Sequence, residues 1–172
     1  MKSSVINSLK YTGIVTLSQY IKGKKVKLSQ VYNSGNNSLF DFIANCLVGD
    51  FDIAQVKRPT KIRLLKKDDD GTYKAASGFI FLLAKPEKVI NTSTKLQAAV
   101  RFSFIVPADM LTKKFDSIAL YTNDVSDLDN YVEDYAAICD VDDINTNTIV
   151  SSAVLVVDWD LIISNQTKPG EN

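Results

Sequence analysis

The sequence predicts a mainly β protein, an antiparallel β-sandwich or jelly-roll-like domain with one helical insertion at about residues 38–48. Three observations favour this class. Short runs rich in β-branched and aromatic residues alternate apolar and polar positions, which is typical of half-buried strands. Turn residues separate these runs at hairpin-like intervals. One stretch repeats its apolar residues at helical spacing instead.

The predicted strands follow from the alternation, and about eight to ten of them are expected. Residues 11–21 and 25–32 form a hairpin around the turn Lys22-Gly23-Lys24. The other predicted strands are 61–65, 78–84, 95–106, 117–121, 135–139 and 154–163. Segment 78–84 is apolar on both faces, which indicates a central strand.

The predicted helix has a recognisable beginning and end. Ser38 is a suitable N-cap with Asp41 three residues later, and Gly49 stands where a C′ glycine is expected. The apolar residues between them recur at helical spacing: Leu39, Phe42, Ile43, Cys46 and Leu47. We expect this stripe to cover one end of the β core. A single helical turn is also expected within 108–115, with Met110 and Leu111 facing inward.

The 172 residues are expected to form one domain, residues 1–163, followed by a flexible polar tail, residues 164–172. The last predicted strand carries an unbroken apolar face with Trp159 at its middle, so we expect Trp159 to lie in the core.

The residue types argue against catalysis. There is no histidine, which removes the common triads, the commonest general base at neutral pH and most metal sites. Cys46 and Cys139 are far apart in sequence and are interpreted as free thiols. No glycine-rich phosphate loop is present. The sequence therefore predicts a protein that is not an enzyme and that has no cofactor and no metal.

Two acidic clusters are candidates for cation sites. The triplet Asp68-Asp69-Asp70 lacks the alternating spacing and distal Glu of a calcium loop and is interpreted as a solvated turn. Asp140, Asp142 and Asp143, taken with Asp158 and Asp160, are interpreted as a solvated face or a protein contact, because sequence does not indicate that their oxygens converge.

The charges are segregated along the chain although the formal net charge is zero. Residues 1–114 hold 19 basic and eight acidic side chains, whereas 115–167 hold 11 acidic and no basic ones. Two interpretations stay open: the two parts neutralise each other within one fold, or they form complementary docking surfaces. The candidate interaction residues are Lys22, Lys24, Lys25, Lys27, Asp124, Asp127, Asp129, Asp140, Asp142 and Asp143.

The composition and charge of the chain also indicate which kinds of partner are expected. No apolar run is long enough for a membrane span, and residues 1–7 are too polar for a signal peptide, so we expect a protein made and kept in the cytoplasm. Net neutrality argues against specific nucleic-acid binding, and the lysines of 22–27 are interpreted as protection of a sheet edge. Exposed aromatic residues would suit a glycan-binding module, which stays open as a further alternative.

Three motifs resemble those of small structural proteins of tailed bacteriophage virions. They are Asn33-Ser34-Gly35 before a Leu-rich helix, the strand Ile118-Ala119-Leu120-Tyr121, and the closing run Trp159-Asp160-Leu161-Ile162-Ile163-Ser164-Asn165. The resemblance covers most of the chain loosely. It implies a virion subunit without catalytic residues, of the auxiliary-capsid, head-fibre or tail and neck adaptor kind. It also implies other virion proteins as partners, and a homo-oligomer is expected.

Overall fold

The computed structural model describes residues 8–35, 57–83, 86–89, 97–111, 114–130, 132–140, 149–150 and 152–166. Over these ranges the protein is mainly β, as predicted, with one 3₁₀ turn at Ala108–Met110. The strands are β1 (Ser8–Ile21), β2 (Lys24–Tyr32), β3 (Ser34–Gly35), β4 (Pro59–Lys67), β5 (Tyr73–Ala75), β6 (Phe81–Leu82), β7 (Pro86–Val89), β8 (Gln97–Val106), β9 (Ser117–Thr122), β10 (Ala137–Asp140) and β11 (Leu155–Gln166).

The strands form two sheets in which every pairing is antiparallel. Sheet 1 has the order β2-β1-β11-β8-β7, so the last strand of the described chain lies at its centre. Sheet 2 has the order β3-β10-β9-β4-β5, and β6 also pairs with β4. Both neighbours of β11 come from the first 114 residues, which places an acidic strand between two strands of the basic part.

One hydrophobic cluster takes side chains from both sheets. Leu17, Phe104 and Trp159 enter it from sheet 1, and each is at most 1% exposed. Ile62 and Leu120 enter it from sheet 2 and are equally buried. These residues occupy alternate positions along their strands, so each sheet turns one face toward the shared cluster and the other face away from it. The prediction that Trp159 lies in the core is confirmed.

The first hairpin forms as its sequence predicts. Lys22 and Gly23 both have positive φ, 50° and 76°, which is the two-residue turn whose twist matches that of antiparallel strands. The pairing of β1 with β2 shifts register between Leu17 and Ser18, which is a bulge. Strand β2 is the outermost strand on this side of sheet 1 among the described residues, in agreement with the interpretation of its lysines as edge protection.

Several predicted elements agree closely with the structure. The strands predicted at 61–65, 95–106, 117–121 and 135–139 correspond to β4, β8, β9 and β10. The helical turn after Pro107 is the 3₁₀ turn, and Met110 and Leu111 pack against the core cluster as expected. The helix predicted at 38–48 lies outside the described residues.

Two predicted elements differ from the structure. The central strand expected at 78–84 is wrong: within the described residues 78–83 only Phe81–Leu82 is a strand, and among the described strands it pairs with β4 alone. Phe79, Ile80 and Leu82 are consequently 46%, 42% and 71% exposed. The last strand runs to Gln166, because Ser164, Asn165 and Gln166 pair with the start of β1. These three residues, assigned above to the polar tail, therefore belong to sheet 1.

The contrast between Phe104 and Phe79 gives a test of the core. Replacing the fully buried Phe104 by Ala removes a ring and leaves a cavity, and should lower the free energy of unfolding by about 3–5 kcal/mol. Phe79→Ala, at a half-exposed position, is the matched control and should cost no more than about 1 kcal/mol. Chemical denaturation of both variants checks this. Equal losses would contradict the assignment of Phe104 to the core.

Candidate interaction surfaces

Folding pairs the two oppositely charged parts of the chain. Six ion pairs are present among the described residues, and five of them join a basic residue of 1–114 to an acidic residue of 115–167. These five are Lys25 with Asp158, Lys57 with Asp124, Arg63 with Asp129, Lys67 with Asp140 and Arg101 with Asp160. For these residues the structure favours internal neutralisation over complementary docking surfaces.

The face of sheet 1 that is turned away from the core carries two of these pairs. Asp158 is 4% exposed; its carboxylate accepts hydrogen bonds from Lys25 Nζ and Ser103 Oγ, both at 2.7 Å. Arg101 donates two hydrogen bonds to Asp160, both at 2.7 Å, and they raise the pKa of the guanidinium. The strand register explains the bonds to β8, because Asp158 lies opposite Ser103 and Asp160 opposite Arg101. Lys25 reaches Asp158 across β1 from the edge strand β2.

The outer face of sheet 2 is covered by the segment 123–136, called here the acidic loop. Leu128 of the loop packs with Leu65 and Tyr121 of sheet 2 in a second hydrophobic cluster. The Tyr121 hydroxyl donates a 2.6 Å hydrogen bond to the Val132 carbonyl, and Lys61 Nζ donates one to the Val125 carbonyl. The loop is thus a packed layer over its described length.

A buried guanidinium holds the middle of the acidic loop. Arg63 is 2% exposed and donates to the Leu128 carbonyl at 2.7 Å and to Asp129 Oδ1 at 2.6 Å. The Asp129 side chain itself is 83% exposed. Asp129 therefore supplies the countercharge for a cation that is buried in the sheet. The sequence does not predict this burial, because arginine is a residue type that usually lies at the protein surface.

One end of the outer face of sheet 1 is apolar and exposed. Ile105 is opposite Val156 in register, and Val156 is opposite Ser18. Tyr20 and Val154 stand two residues further toward the same end of their strands. Tyr20, Ile105 and Val154 are 53%, 59% and 36% exposed. We call these three residues the apolar end of sheet 1.

The apolar end is positioned by a buried amide. Gln19 is fully buried; its Nε2 donates to the carbonyls of Val150 and Ala153 at 3.0 Å, and its Oε1 accepts from the Val150 amide at 2.9 Å. These bonds fasten the turn that leads into β11 against the end of β1. The exposure of Val154 and of Tyr20 is therefore built into the fold.

Lysines of the first hairpin lie at this end of the sheet. Lys22 of the turn, Lys24 and Lys27 are exposed. Lys27 lies opposite Ser18 and shares the outer face with Tyr20, whereas Lys24 lies opposite Ile21 on the other face of the strand. None of the three has an ion pair among the described residues, and Lys27 Nζ donates a hydrogen bond to Gln30 Oε1. The sequence indicates these lysines as candidate interaction residues but does not single out the apolar residues beside them. The only signal of those residues in the sequence is that each is an apolar residue at a position on the polar face of its strand.

The other predicted interaction residues make different contacts in the structure. Lys25, Asp124, Asp129 and Asp140 are in the ion pairs described above. Asp127 accepts hydrogen bonds from the amide and side chain of Asn130, which lower its pKa. Asp142 and Asp143 lie outside the described residues. Of the predicted residues that the structure describes, Lys22, Lys24, Lys27 and Asp127 are exposed and take part in no ion pair.

The turn Asp68-Asp69-Asp70, which was a candidate cation site, is stabilised by hydrogen bonds and an ion pair of its own. Asp70 Oδ1 accepts from the amide and hydroxyl of Thr72 at 2.9 and 2.6 Å, and Asp68 pairs with Lys74. Among the described residues no three His, Cys, Asp or Glu side chains are grouped so that they would hold a metal ion.

A cavity of about 360 Å³ lies where β4, β6, β7 and β8 meet. Its lining is mainly apolar, with Leu83, Val100 and Phe102 beside Arg58 and Thr60. No carboxylate is among the described residues that line it. This lining offers an apolar surface without an acid or base, and the cavity supports no catalytic assignment.

Over the described part of the chain, no helix has the length and apolar character needed to cross a bilayer. Comparison with protein-family models, with curated proteins and with solved structures gives no match to this chain.

The buried charge of Arg63 predicts unequal effects for two exposed aspartates of the acidic loop. Asp129→Ala removes the countercharge of a buried guanidinium and should lower the free energy of unfolding by about 2–3 kcal/mol. Asp134→Ala, five residues away and also exposed, should change it by no more than about 0.5 kcal/mol. Urea denaturation of both variants measures the difference. If the two variants are equally stable, Asp129 does not hold the loop.

Cys139 predicts a dependence of stability on alkaline pH. Burial raises the pKa of this thiol from 9.0 to about 12, so above pH 9 the unfolded chain releases a proton that the folded protein keeps. Stability contributed by the protonated thiol is present below pH 9 and is lost as the pH rises. Between pH 8 and 10 this loss is about 1.4 kcal/mol.

Cys139→Ala removes this loss, so the stability gap between wild type and variant should shrink by about 1.4 kcal/mol from pH 8 to 10. Denaturation curves at the two pH values measure the gap, and all other titrating groups cancel in the difference. A gap that is independent of pH would contradict the shift.

Proposed function

We propose that this protein is a non-enzymatic structural subunit of a bacteriophage virion, made in the host cytoplasm, and most specifically a capsid-associated auxiliary or head-fibre type protein. The observation that carries the proposal is the apolar end of sheet 1 with its rim of lysines. Exposed, adjacent large apolar residues rimmed by charge are typical of protein contact sites. The motifs that resemble phage structural proteins supply the virion context.

We further infer that the two sheets are the layers of a β-sandwich. The support is the single hydrophobic cluster that alternate residues of both sheets share. A sandwich leaves two outer faces free for contacts, and in this protein one of them is covered by the acidic loop. The outer face of sheet 1 is then the larger uncovered surface among the described strands.

The docking mechanism differs from simple contact between a basic and an acidic half. Five ion pairs already join the two halves within the fold, so most of those charges are not available to a partner. In the proposed contact Tyr20, Ile105 and Val154 supply apolar burial. The lysines of the rim set orientation, because charges at the edge of an interface contribute specificity more than affinity.

A tail or neck adaptor or baseplate protein would use the same surface and differs only in its place in the particle. A glycan-binding module is less well supported. Trp159, the strongest stacking residue, is 1% exposed. The exposed Tyr20 and Tyr32 are not adjacent: Tyr32 lies opposite Ile14, six residues from Tyr20 along β1 and so about 20 Å away.

The proposal predicts that the chain co-purifies with virus particles from a host that carries its gene. Peptides of the chain should band with particles in a density gradient and survive a wash at moderate salt, as measured by quantitative mass spectrometry. Recovery of the chain only in the soluble fraction would overturn the proposal.

The same particles test the surface. Ile105→Asp places a charge in the apolar end and should reduce incorporation at least about tenfold, since an unpaired charge at an interface core is strongly unfavourable. Leu82→Asp, at a residue of sheet 2 that is 71% exposed, is the matched control and should incorporate normally. Equal incorporation of both variants would remove the apolar end from the contact.

A further inference from the structure

The acidic loop carries two groups of carboxylates with different environments. Asp124 and Asp129 are engaged with Lys57 and Arg63 of the same chain. Glu133 and Asp134 are exposed and have no ion pair among the described residues. The half-buried Val132 precedes them, so this part of the loop offers negative charge next to apolar surface.

The apolar end of sheet 1 has the opposite character. Its three apolar residues are bordered by Lys22 of the turn, two residues after Tyr20, and by Lys27, opposite Ser18 on the same face. Both lysines are exposed and have no ion pair among the described residues. The loop lies on the outer face of sheet 2, and the apolar end lies on the outer face of sheet 1. Both faces are turned away from the shared core cluster, so one molecule presents the two surfaces in different directions.

We propose that the apolar end of sheet 1 of one copy docks on the acidic loop of a second copy, with Lys22 and Lys27 facing Glu133 and Asp134, so that self-association is head-to-tail. This rests on the proposed function and names its partner surface. Charge complementarity selects the occupant. A two-fold contact of the apolar end with itself would place the lysine rim of one copy against that of the other, which is repulsive.

Head-to-tail contact has a consequence for assembly. Each copy uses two different surfaces and binds two neighbours, so the contacts generate a ring if the rotation between copies closes and a filament if it does not. The intramolecular ion pairs are compatible with this arrangement, because neither the lysines of the rim nor the two carboxylates take part in one among the described residues.

The test is a charge swap followed by sedimentation velocity and light scattering of the full chain at low and at roughly physiological salt. Wild type should self-associate and loosen as salt rises. The variant Lys22→Glu/Lys27→Glu, and separately the variant Glu133→Lys/Asp134→Lys, should each raise the dissociation constant at least about tenfold. The fourfold variant that combines them should recover association to within about threefold of wild type, since opposite charges again face each other.

Matched controls separate local pairing from net charge. Lys66→Glu/Lys114→Glu changes two exposed lysines elsewhere by the same total charge and should associate like wild type. Combining it with Glu133→Lys/Asp134→Lys restores net neutrality without restoring the pairing, so association should stay weak. Circular dichroism and thermal unfolding confirm that each variant is folded.

Three outcomes overturn the head-to-tail contact: a wild type that stays monomeric at all concentrations, a fourfold variant that remains dissociated, or rescue by the control lysines. None of these bears on incorporation into particles. If the chain bands with particles but fails the charge swap, the proposed function stands and its partner surface belongs to another protein. If the charge swap succeeds but the chain is absent from particles, the self-contact stands and the virion assignment fails.

Discussion

The insertion of β11 between β1 and β8 is the constraint on which the rest of the structure depends. Along one face of this strand Trp159 and its alternate neighbours enter the core cluster. Along the other, Asp158 and Asp160 meet cations of the strands and hairpin on either side. Because β11 is the last strand of the described chain, sheet 1 is incomplete until the C-terminal part has been made. Such long-range pairing is typical of slow-folding β proteins.

This arrangement explains why a chain of zero net charge segregates its charges so strongly. Five carboxylates of the C-terminal part each meet a cation from the N-terminal part: two on β11, two in the acidic loop and Asp140 of β10. A buried charge without a partner is costly, so opposite signs on segments that meet only late in folding favour the native pairing over incorrect ones. Charges that are separated along the sequence thus neutralise each other in the folded protein.

The same strand order determines which side chains remain exposed for contacts. The turn before β11 is fastened to β1 by Gln19, which exposes Val154 beside Tyr20, and the register of β8 adds Ile105. The lysines of the first hairpin border this surface. On the other sheet, Arg63 holds the acidic loop in place and leaves Glu133 and Asp134 facing outward. The two proposed contact surfaces are therefore by-products of how the core and its ion pairs are satisfied.

The sequence alone determined the mainly β, antiparallel character of the fold, most strand positions, the first hairpin and the burial of Trp159. These depend on local signals: alternation, turn residues and side-chain size. It did not determine that 78–84 is mostly exposed, because an apolar run looks the same whether it has strand neighbours on both sides or, like β6, on one. Nor did it determine that Arg63 is buried or that Tyr20 and Ile105 share a surface. Only the tertiary structure decided these points, because burial of a charge and adjacency of side chains depend on which strands pair, and that pairing joins residues far apart in the chain.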